Sequence, residues 1–472
     1  MSDQSIDLGT SPLVLKFGGT SVRDAAAMRR VVAIVAGEIA RDRTAPGPRA
    51  PMVVVTSACA GVTDMLLECA RGCGGERPEE ALALVAALRE RHLGILDDLD
   101  SADAHGGRDD LRAMLDEIER LVRGVAMLGE LTPRTTDLFA SYGERLSSLL
   151  LTAAFRFAGL RAALADSRQF IITDDAFINA VPLMAEIDRR AHPAVDPLMA
   201  THDVVVAQGF IGSTIDGITT TIGRGGGDYS GALIGAALGA REIQIWTDVS
   251  GILTADPRLV PNARVVPEVT FTEARELAYF GAKVIHPDTI LPAVARNIPV
   301  VIRNSMAPAD PGTRIMPDGT PIPSGIHSIT MKKGMTALKL SPRDPRDGSA
   351  PVERALSLFA EHGVPLYCGL LAESRGLAIT QGSAFNDILL AAVESTCRVT
   401  VDEEMALLCM TGAALHDVPA ALSEPLAALE GITVALVAAG TSEHIMLIGV
   451  PESRANEALS AVHRRLFEGV EV

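Results

Sequence analysis

Lys16 closes the apolar run LVLKF and is followed at once by Gly18, Gly19, Thr20 and Ser21, in KFGGTSV. A lysine at a strand end, two glycines without a Cβ and the free N–H groups of a helix start suit a phosphoryl group. The stretch is not a Walker A loop, because GxxxxGK[ST] is absent. A second segment, TTTIGRGGGDYSGA (219–232), sets Gly223, Gly225, Gly226 and Gly227 around Arg224 and puts Asp228 at the start of the next helix. Four glycines in five residues carry an entropy cost, which points to a close backbone approach to a ligand. The spacing is not GxGxxG and no ribose-binding acid is suitably placed, which disfavours a dinucleotide. Asp228 is open to two readings, a helix N-cap or a site carboxylate.

Four further segments carry polar residues in settings that suit chemistry. In VTSACAGVTD (55–64), Ser57 and Thr63 offer hydroxyls to a small polar substrate, or a cap to a helix starting near Asp64. In SYGERLSS (141–148), Glu144 sits among apolar neighbours on a helix and needs an arginine or a cationic ligand group as partner. IWTDVSGILTADPR (245–258) ends a strand with Thr247 and Asp248 and continues to Asp256 and Arg258, and FGAKVIHP (280–287) places Lys283 and His286 near a helix end.

These segments must be held by an α/β scaffold. LVLKF (13–17), MVVVTSA (52–58), DVVVAQGF (203–210), EIQIWTDV (242–249) and PVVIRN (299–304) are short, continuous, Val/Ile-rich runs expected to be buried strands. Between them lie amphipathic stretches such as 110–127, where Leu111, Leu115, Ile118 and Val122 share one helical face. Strands alternating with helices imply a mostly parallel sheet covered on both faces, with ligands beyond the carboxyl ends of the strands. Residues 305–324 hold five prolines and are expected to lead out of this first domain. Beyond them, EHGVPLYCGLLAESRGLAIT (361–380) aligns with LEGITVALVAAGTSEHIMLI (429–448) at an offset of 68, matching Gly363 to Gly431 and Ser374 to Ser442. That repeat suggests two small βαββαβ units.

Composition narrows the function class. The 472 residues suit about two to four domains, and 48% hydrophobic content with 4% aromatics implies cores of Ala, Leu, Val and Ile. A net charge of −17 argues against a broad nucleic-acid surface. No run of about 18 apolar residues is present to span a membrane, and MSDQSIDLGTSP has no secretory pattern. The six cysteines form no CxxC pair and are expected to be reduced core thiols of a cytoplasmic protein. Ten scattered histidines without HExxH leave no expected protein metal site.

Taken together and in this order, KFGGTSV, SYGERLS, GFIG (209–212), GRGGGDYSGA, TDVSGILTADPR and FGAKVIHP resemble the aspartate kinases of the amino-acid kinase superfamily. The tail is similar to their paired ACT units. The resemblance implies a three-layer αβα sandwich with a mostly parallel sheet, followed by two ferredoxin-like βαββαβ ACT units. The expected boundaries are 1–306 for the kinase domain, 307–330 for a Pro-rich linker, and 331–402 and 403–472 for the ACT-like units. The implied reaction moves the γ-phosphoryl of Mg-ATP to the side-chain carboxylate of L-aspartate. It opens the route to lysine, threonine and methionine, or serves a dedicated branch such as ectoine. The resemblance makes Lys16 and Asp228 the catalytic pair. It assigns Arg224 to the substrate α-carboxylate, Glu144 to its ammonium, and Ser57, Ala58, Thr63, Phe210 and Gly227 to the pocket wall. Lys16, Gly18, Gly19, Thr20, Gly225, Gly226, Thr247, Asp248, Leu253, Arg258 and Lys283 fall on the ATP side, with Mg2+ carried largely by phosphates and water.

Three departures stand out. Gly227 replaces a usual serine, Leu253 a common tyrosine, and His444 an asparagine in the effector strand, AAGTSEHIMLI. The first two imply altered affinity, and the third implies that lysine or threonine feedback is weakened, absent or redirected. The alternatives are another amino-acid kinase of the superfamily or a non-catalytic ACT-type sensor. The length leaves no room for a fused homoserine dehydrogenase. A homodimer or higher oligomer through ACT sheet edges is expected.

Overall fold

The computed structural model describes residues 11–44, 50–75, 77–100, 107–223, 225–281, 286–440 and 442–468. It divides into two compact units, residues 1–251 with 284–320, and residues 252–283 with 321–472. In chain order the first unit supplies β1 (Leu13–Phe17), α1 (Ala25–Thr44), β2 (Met52–Thr56), α2 (Val62–Cys73), α3 (Pro78–Leu99), α4 (Arg108–Leu128) and α5 (Pro133–Phe157). It continues through β3 (Ala162–Ala165), α6 (Met184–Met199), β4 (Val204–Gln208), β5 (Ile211–Ser213), β6 (Thr219–Thr221), α7 (Gly226–Ala237) and β7 (Glu242–Thr247). Then β8 (Glu268–Thr270) and α8 (Phe271–Tyr279) fall in the second unit, and α9 (Leu291–Ala295), β9 (Val300–Asn304) and β10 (Thr313–Met316) return to the first.

The strands of the first unit run β3-β4-β2-β1-β7-β9-β10, parallel except for β10, which pairs antiparallel with β9. Alternate residues point to opposite faces. Leu15, Phe17, Val54, Val206 and Trp246 join one buried core with α1 to α5. Lys16 and Ile243 point the other way, toward α7. That helix lies close because Gly231 carries no side chain; a Cβ there would stand 3.1 Å from the Lys16 Cβ. The five expected strands form within one or two residues of their expected bounds, and the expected helix over 110–127 lies inside α4. The helix start expected after the two glycines is a 3-10 turn over Gly19–Val22, with α1 starting at Ala25.

The second unit continues with β11 (Gly325–Ser341), α10 (Ala350–Glu361), β12 (Cys368–Ala372), β13 (Arg375–Gln381), α11 (Asp387–Thr396), β14 (Arg398–Ala413), α12 (Ala420–Ala428), β15 (Leu436–Ala439), β16 (Ile445–Pro451) and α13 (Ala455–His463). Strands β11 to β16 form one antiparallel sheet, β12-β13-β11-β14-β16-β15. Gly363 and Gly431 stand at φ +66° and +78°, each just beyond the end of a helix, so the repeat has a backbone counterpart.

Two lobes share this sheet. The first uses residues 335–341 of β11, then α10, β12, β13, α11 and residues 398–402 of β14, around Leu338, Phe359 and Val393. The second uses residues 405–413 of β14, then α12, β15, β16 and α13, and takes its remaining strand from residues 325–332 of β11, around Ile329, Leu408 and Leu459. Each lobe has four strands and two helices, βαββαβ in the first and ββαββα in the second, and they are interleaved rather than consecutive. This departs from expected halves at 331–402 and 403–472, and from an expected linker over 307–330 that in fact carries β10 and the start of β11. Prolines did not exclude strand here because they stand outside both runs, at 308, 311, 317, 321 and 323.

A fragment covering 335–402 holds a complete lobe and is expected to unfold cooperatively in urea. A fragment covering 403–472 lacks its edge strand and the contacts of Ala255 and Val260 and is expected to show no such transition by far-UV circular dichroism. Cooperative unfolding of both would contradict the interleaving.

Candidate active site

The carboxyl ends of β1, β2 and β4 converge with the amino end of α7. Lys16 is buried, and its Nζ lies 2.5 Å from Asp228 Oδ1. Asp228 is in the first turn of α7, whose N-cap is Gly225 at φ +77°, and its side chain makes no cap bond. Asp228 is therefore not the N-cap of this helix, and its carboxylate is paired with Lys16 instead. Gly226 N donates to Gly223 O at 3.1 Å, at the point where the chain enters α7.

Gly227 sits over this pair. A Cβ there would stand 3.0 Å from Ser57 Oγ and 3.1 Å from Lys16 Cε, so the missing side chain is space already used by the site. Ser57 is held by its N–H donating to Phe17 O at 3.2 Å. Ala58 and Thr63 border Gly143 on α5, which brings Glu144 beneath the β2–α2 loop. Thr63 lies within α2, which begins at Val62, so it does not cap a helix at Asp64. Phe210 adopts φ +62°, an unusual conformation for a non-glycine residue. It is held there by its N–H donating to Ser230 Oγ at 2.8 Å and its carbonyl accepting from Ile222 N at 3.0 Å.

Glu144 is the electrostatic outlier. Its Oε1 accepts from Ala58 N at 3.0 Å, while its Oε2 is buried with no hydrogen-bond partner. Burial pushes its carboxyl up to about 8, against the pull of the Ala58 and Glu144 N–H groups and of the Lys16 charge. A buried acid with one open oxygen beside a lysine–aspartate pair is a ready receptor for a cationic group.

Thr247 continues the strand beside β1, where Gly18 N donates to Trp246 O at 3.4 Å. Its carbonyl accepts from Ser305 N at 2.8 Å and Ser305 Oγ at 3.0 Å, and Ser21 Oγ donates to Ser305 Oγ at 2.9 Å. This hydroxyl chain ties the 3-10 turn bearing Gly19 and Thr20 to the ends of β7 and β9. Asp248 is exposed and accepts from Thr247 Oγ1 at 3.1 Å.

Leu253 and Arg258 belong to the second unit. There Leu253 O accepts from Ser328 Oγ at 2.7 Å, and the exposed Arg258 is bound to Asp256 at 2.6 Å. Arg224 and Lys283 lie outside the described residues.

Several supporting residues went unread in the sequence. Ser147 Oγ donates to Ser57 O at 2.6 Å, and Gln208 Nε2 donates to Ser148 Oγ at 3.0 Å while its Oε1 accepts from Ser167 N at 2.8 Å. Arg91 on α3 donates to Ala60 O at 2.9 Å and Arg23 O at 3.2 Å, clamping the two loops that follow β1 and β2. Ser147 and Ser148 follow Glu144 by one turn, a signal that one-face counting would have caught. Arg91 and Ser305 have no local signature.

Comparison with known proteins adds independent findings. Residues 11–304 match the profile of the amino acid kinase family. The chain is 33% identical over 469 residues to the lysine-sensitive aspartokinase 3 of Escherichia coli K12, covering 97% of this chain and 99% of that one. It is 32% identical to the chloroplastic aspartokinase 1 of Arabidopsis thaliana, covering 96% of this chain and 80% of that one. Among solved structures, E. coli aspartokinase III in complex with aspartate and ADP is similar with a TM-score of 0.71 at 32% identity, covering 97% of this chain and 100% of that one. The same enzyme in complex with lysine and aspartate gives a TM-score of 0.75, also at 32% identity, covering 97% and 99%.

The buried acid makes a stability prediction. Below the unfolded value near 4.5, Glu144 is protonated in both states. Between there and about 8, the folded state holds a proton the unfolded state lacks, so stability falls as pH rises through that window. Glu144→Gln is expected to melt a few degrees higher than the parent at pH 7.5 without ligand, with the gap closing by about pH 5. An unchanged or lower Tm at pH 7.5 in differential scanning calorimetry would refute the buried, unpartnered state.

Proposed function

The chain belongs to the aspartokinase family of amino acid kinases, and we propose that its reacting centre is the polar cluster of Lys16, Asp228 and Glu144. The protein is an ATP-dependent aspartate kinase. A side-chain carboxylate oxygen of L-aspartate attacks the γ-phosphorus of ATP, the bond to the β-phosphate oxygen breaks, and 4-phospho-L-aspartate and ADP leave. The nucleophile has an unperturbed pKa of about 3.9, so it is already ionised and needs no general base. What remains for the protein is positioning and charge stabilisation.

In this reading Lys16 stabilises the transferring phosphoryl oxygens and Asp228 holds the ammonium in place. Gly18, Gly19, Thr20, Gly225 and Gly226 present amides to the phosphates. Thr247, Asp248, Leu253, Arg258 and Lys283 serve the nucleotide side. Arg224 grips the substrate α-carboxylate with its planar fork, and Ser57, Ala58, Thr63, Phe210 and Gly227 shape the pocket. The observation that carries the reading is the open Oε2 of Glu144, which a substrate ammonium would satisfy. An N-acylated amino acid would leave it unpaired, which counts against the relatives that use such substrates. The intact Lys16–Asp228 pair counts against a non-catalytic sensor.

The donor set fits Mg2+ that arrives on the ATP phosphates. Among the described residues no three His, Cys, Asp or Glu converge on a metal position, and Asp228 is already paired with Lys16. When bound, the ion neutralises phosphate charge.

We further propose a homodimer or higher oligomer through the β12 edge, where Gly369 to Ala372 are exposed and pair on one side only. Feedback by lysine or threonine is read as weakened, absent or redirected, consistent with a dedicated branch such as ectoine. The His444 ring, placed where relatives have asparagine, is occupied with Gly412 O at 3.0 Å. A cytoplasmic location fits six free thiols and the lack of any described helix long and apolar enough to cross a membrane.

Trapping the acyl phosphate with hydroxylamine tests the chemistry. Hydroxamate is expected from Mg-ATP and L-aspartate, and Lys16→Ala should lower the rate at least about a hundredfold. Full activity of Lys16→Ala would remove the proposed centre. In the same assay, inhibition by lysine or threonine in about the low millimolar range would sink the feedback reading. Glu144→Gln should raise the KM for aspartate about a hundredfold while leaving that for ATP nearly unchanged.

A further inference from the structure

Helix α5 carries a second buried carboxylate two turns before Glu144. Asp137 is 1% exposed and shares the Glu144 face, because seven residues span close to two helical turns. It accepts from Ile178 N at 3.0 Å, Thr221 N at 3.0 Å and Thr221 Oγ1 at 2.7 Å. Burial pushes its carboxyl up and those donors pull it back down.

Both partners border the glycine turn. Thr221 ends β6 two residues before Gly223, and Ala180 N donates back to Thr221 O at 3.0 Å. Ile178 stands at φ +78°, a conformation a β-branched residue holds only under constraint. Next to it, the Asn179 amide fills the space beside Gly223, where a Cβ would meet Oδ1 at 2.5 Å. A buried carboxylate is a poor device for stability alone, since its desolvation cost cancels much of what its bonds return. It is a good device for fixing where a loop sits, because three donors from two segments define one position.

We propose that Asp137 is a positioning residue for aspartate binding. It holds Thr221 and the Ile178–Asn179 segment that flanks Gly223, and so references the approach to the glycine turn to the same helix that carries Glu144. This rests on the assignment of that turn, through Arg224, to the α-carboxylate.

Steady-state kinetics of the full chain separate this from a structural role. Asp137→Asn is expected to raise the KM for aspartate about tenfold and Thr221→Val about threefold, with kcat and the KM for ATP within about twofold of the parent. A fall in kcat with both KM values unchanged would overturn the proposal as mere loss of folded enzyme, and equal rises in both KM values would overturn it as a general disturbance of the site. If Asp137→Asn does not fold, Thr221→Val, which deletes a single donor, decides alone. Arg224→Ala is run in parallel. A large rise in aspartate KM from Arg224→Ala with none from the other two variants overturns the positioning role only. No rise from Arg224→Ala overturns the assignment of the turn and the proposal with it.

Discussion

A lysine ammonium buried at the end of a parallel sheet has to be paired, and the pairing of Lys16 with Asp228 constrains much of what surrounds it. The pair joins a central strand to the helix packed on its face. For the two side chains to meet, α7 must lie against β1, and it does so over a helix face lacking a side chain at Gly231. The turn into α7 must also be tight enough to bring Asp228 back over the strand end, which the left-handed backbone at Gly223 and Gly225 provides.

The opposite wall is organised differently. Helix α5 is buried along much of its length, and Glu144, Ser147 and Ser148 reach out to Ala58 N, Ser57 O and Gln208. The loop after β2 is thus referenced to one helix, while the 3-10 turn after β1 is referenced to the sheet through Ser21, Ser305 and Thr247. Each half of the site has its own support.

Much of this was legible in the sequence, and the reasons are specific. Val-rich strands such as DVVVAQGF announce themselves because both faces are covered, and KFGGTSV and GRGGGDYSGA announce themselves because their glycines have no other good explanation. Glu144 stood out as an acid in an apolar stretch. Contacts between distant segments were not legible. Arg91 looks like any helical arginine until its guanidinium is seen on Ala60 O and Arg23 O. The repeat at offset 68 revealed two similar lobes but not their interleaving. The matched residues cover the helix, glycine and two strands of each lobe and omit the strands that differ in provenance. A Pro-rich stretch hid the start of β11 because prolines next to a strand look, in sequence, like prolines within a linker.

The crossing of the two lobes has a consequence for how such a chain can be rearranged. The inner lobe leaves and re-enters the outer one through neighbouring strands, with Met335 paired to Met405 at the neck and register shifts on either side. Its two ends are therefore adjacent, and genetic exchange of residues 335–402 moves a whole module while leaving a short gap to bridge. A crossover at residue 403, where the linear repeat would place the border, instead severs the outer module from its own strand. Hybrids between members of this architecture are accordingly expected to survive when an insertion is swapped and to fail when a tail is swapped.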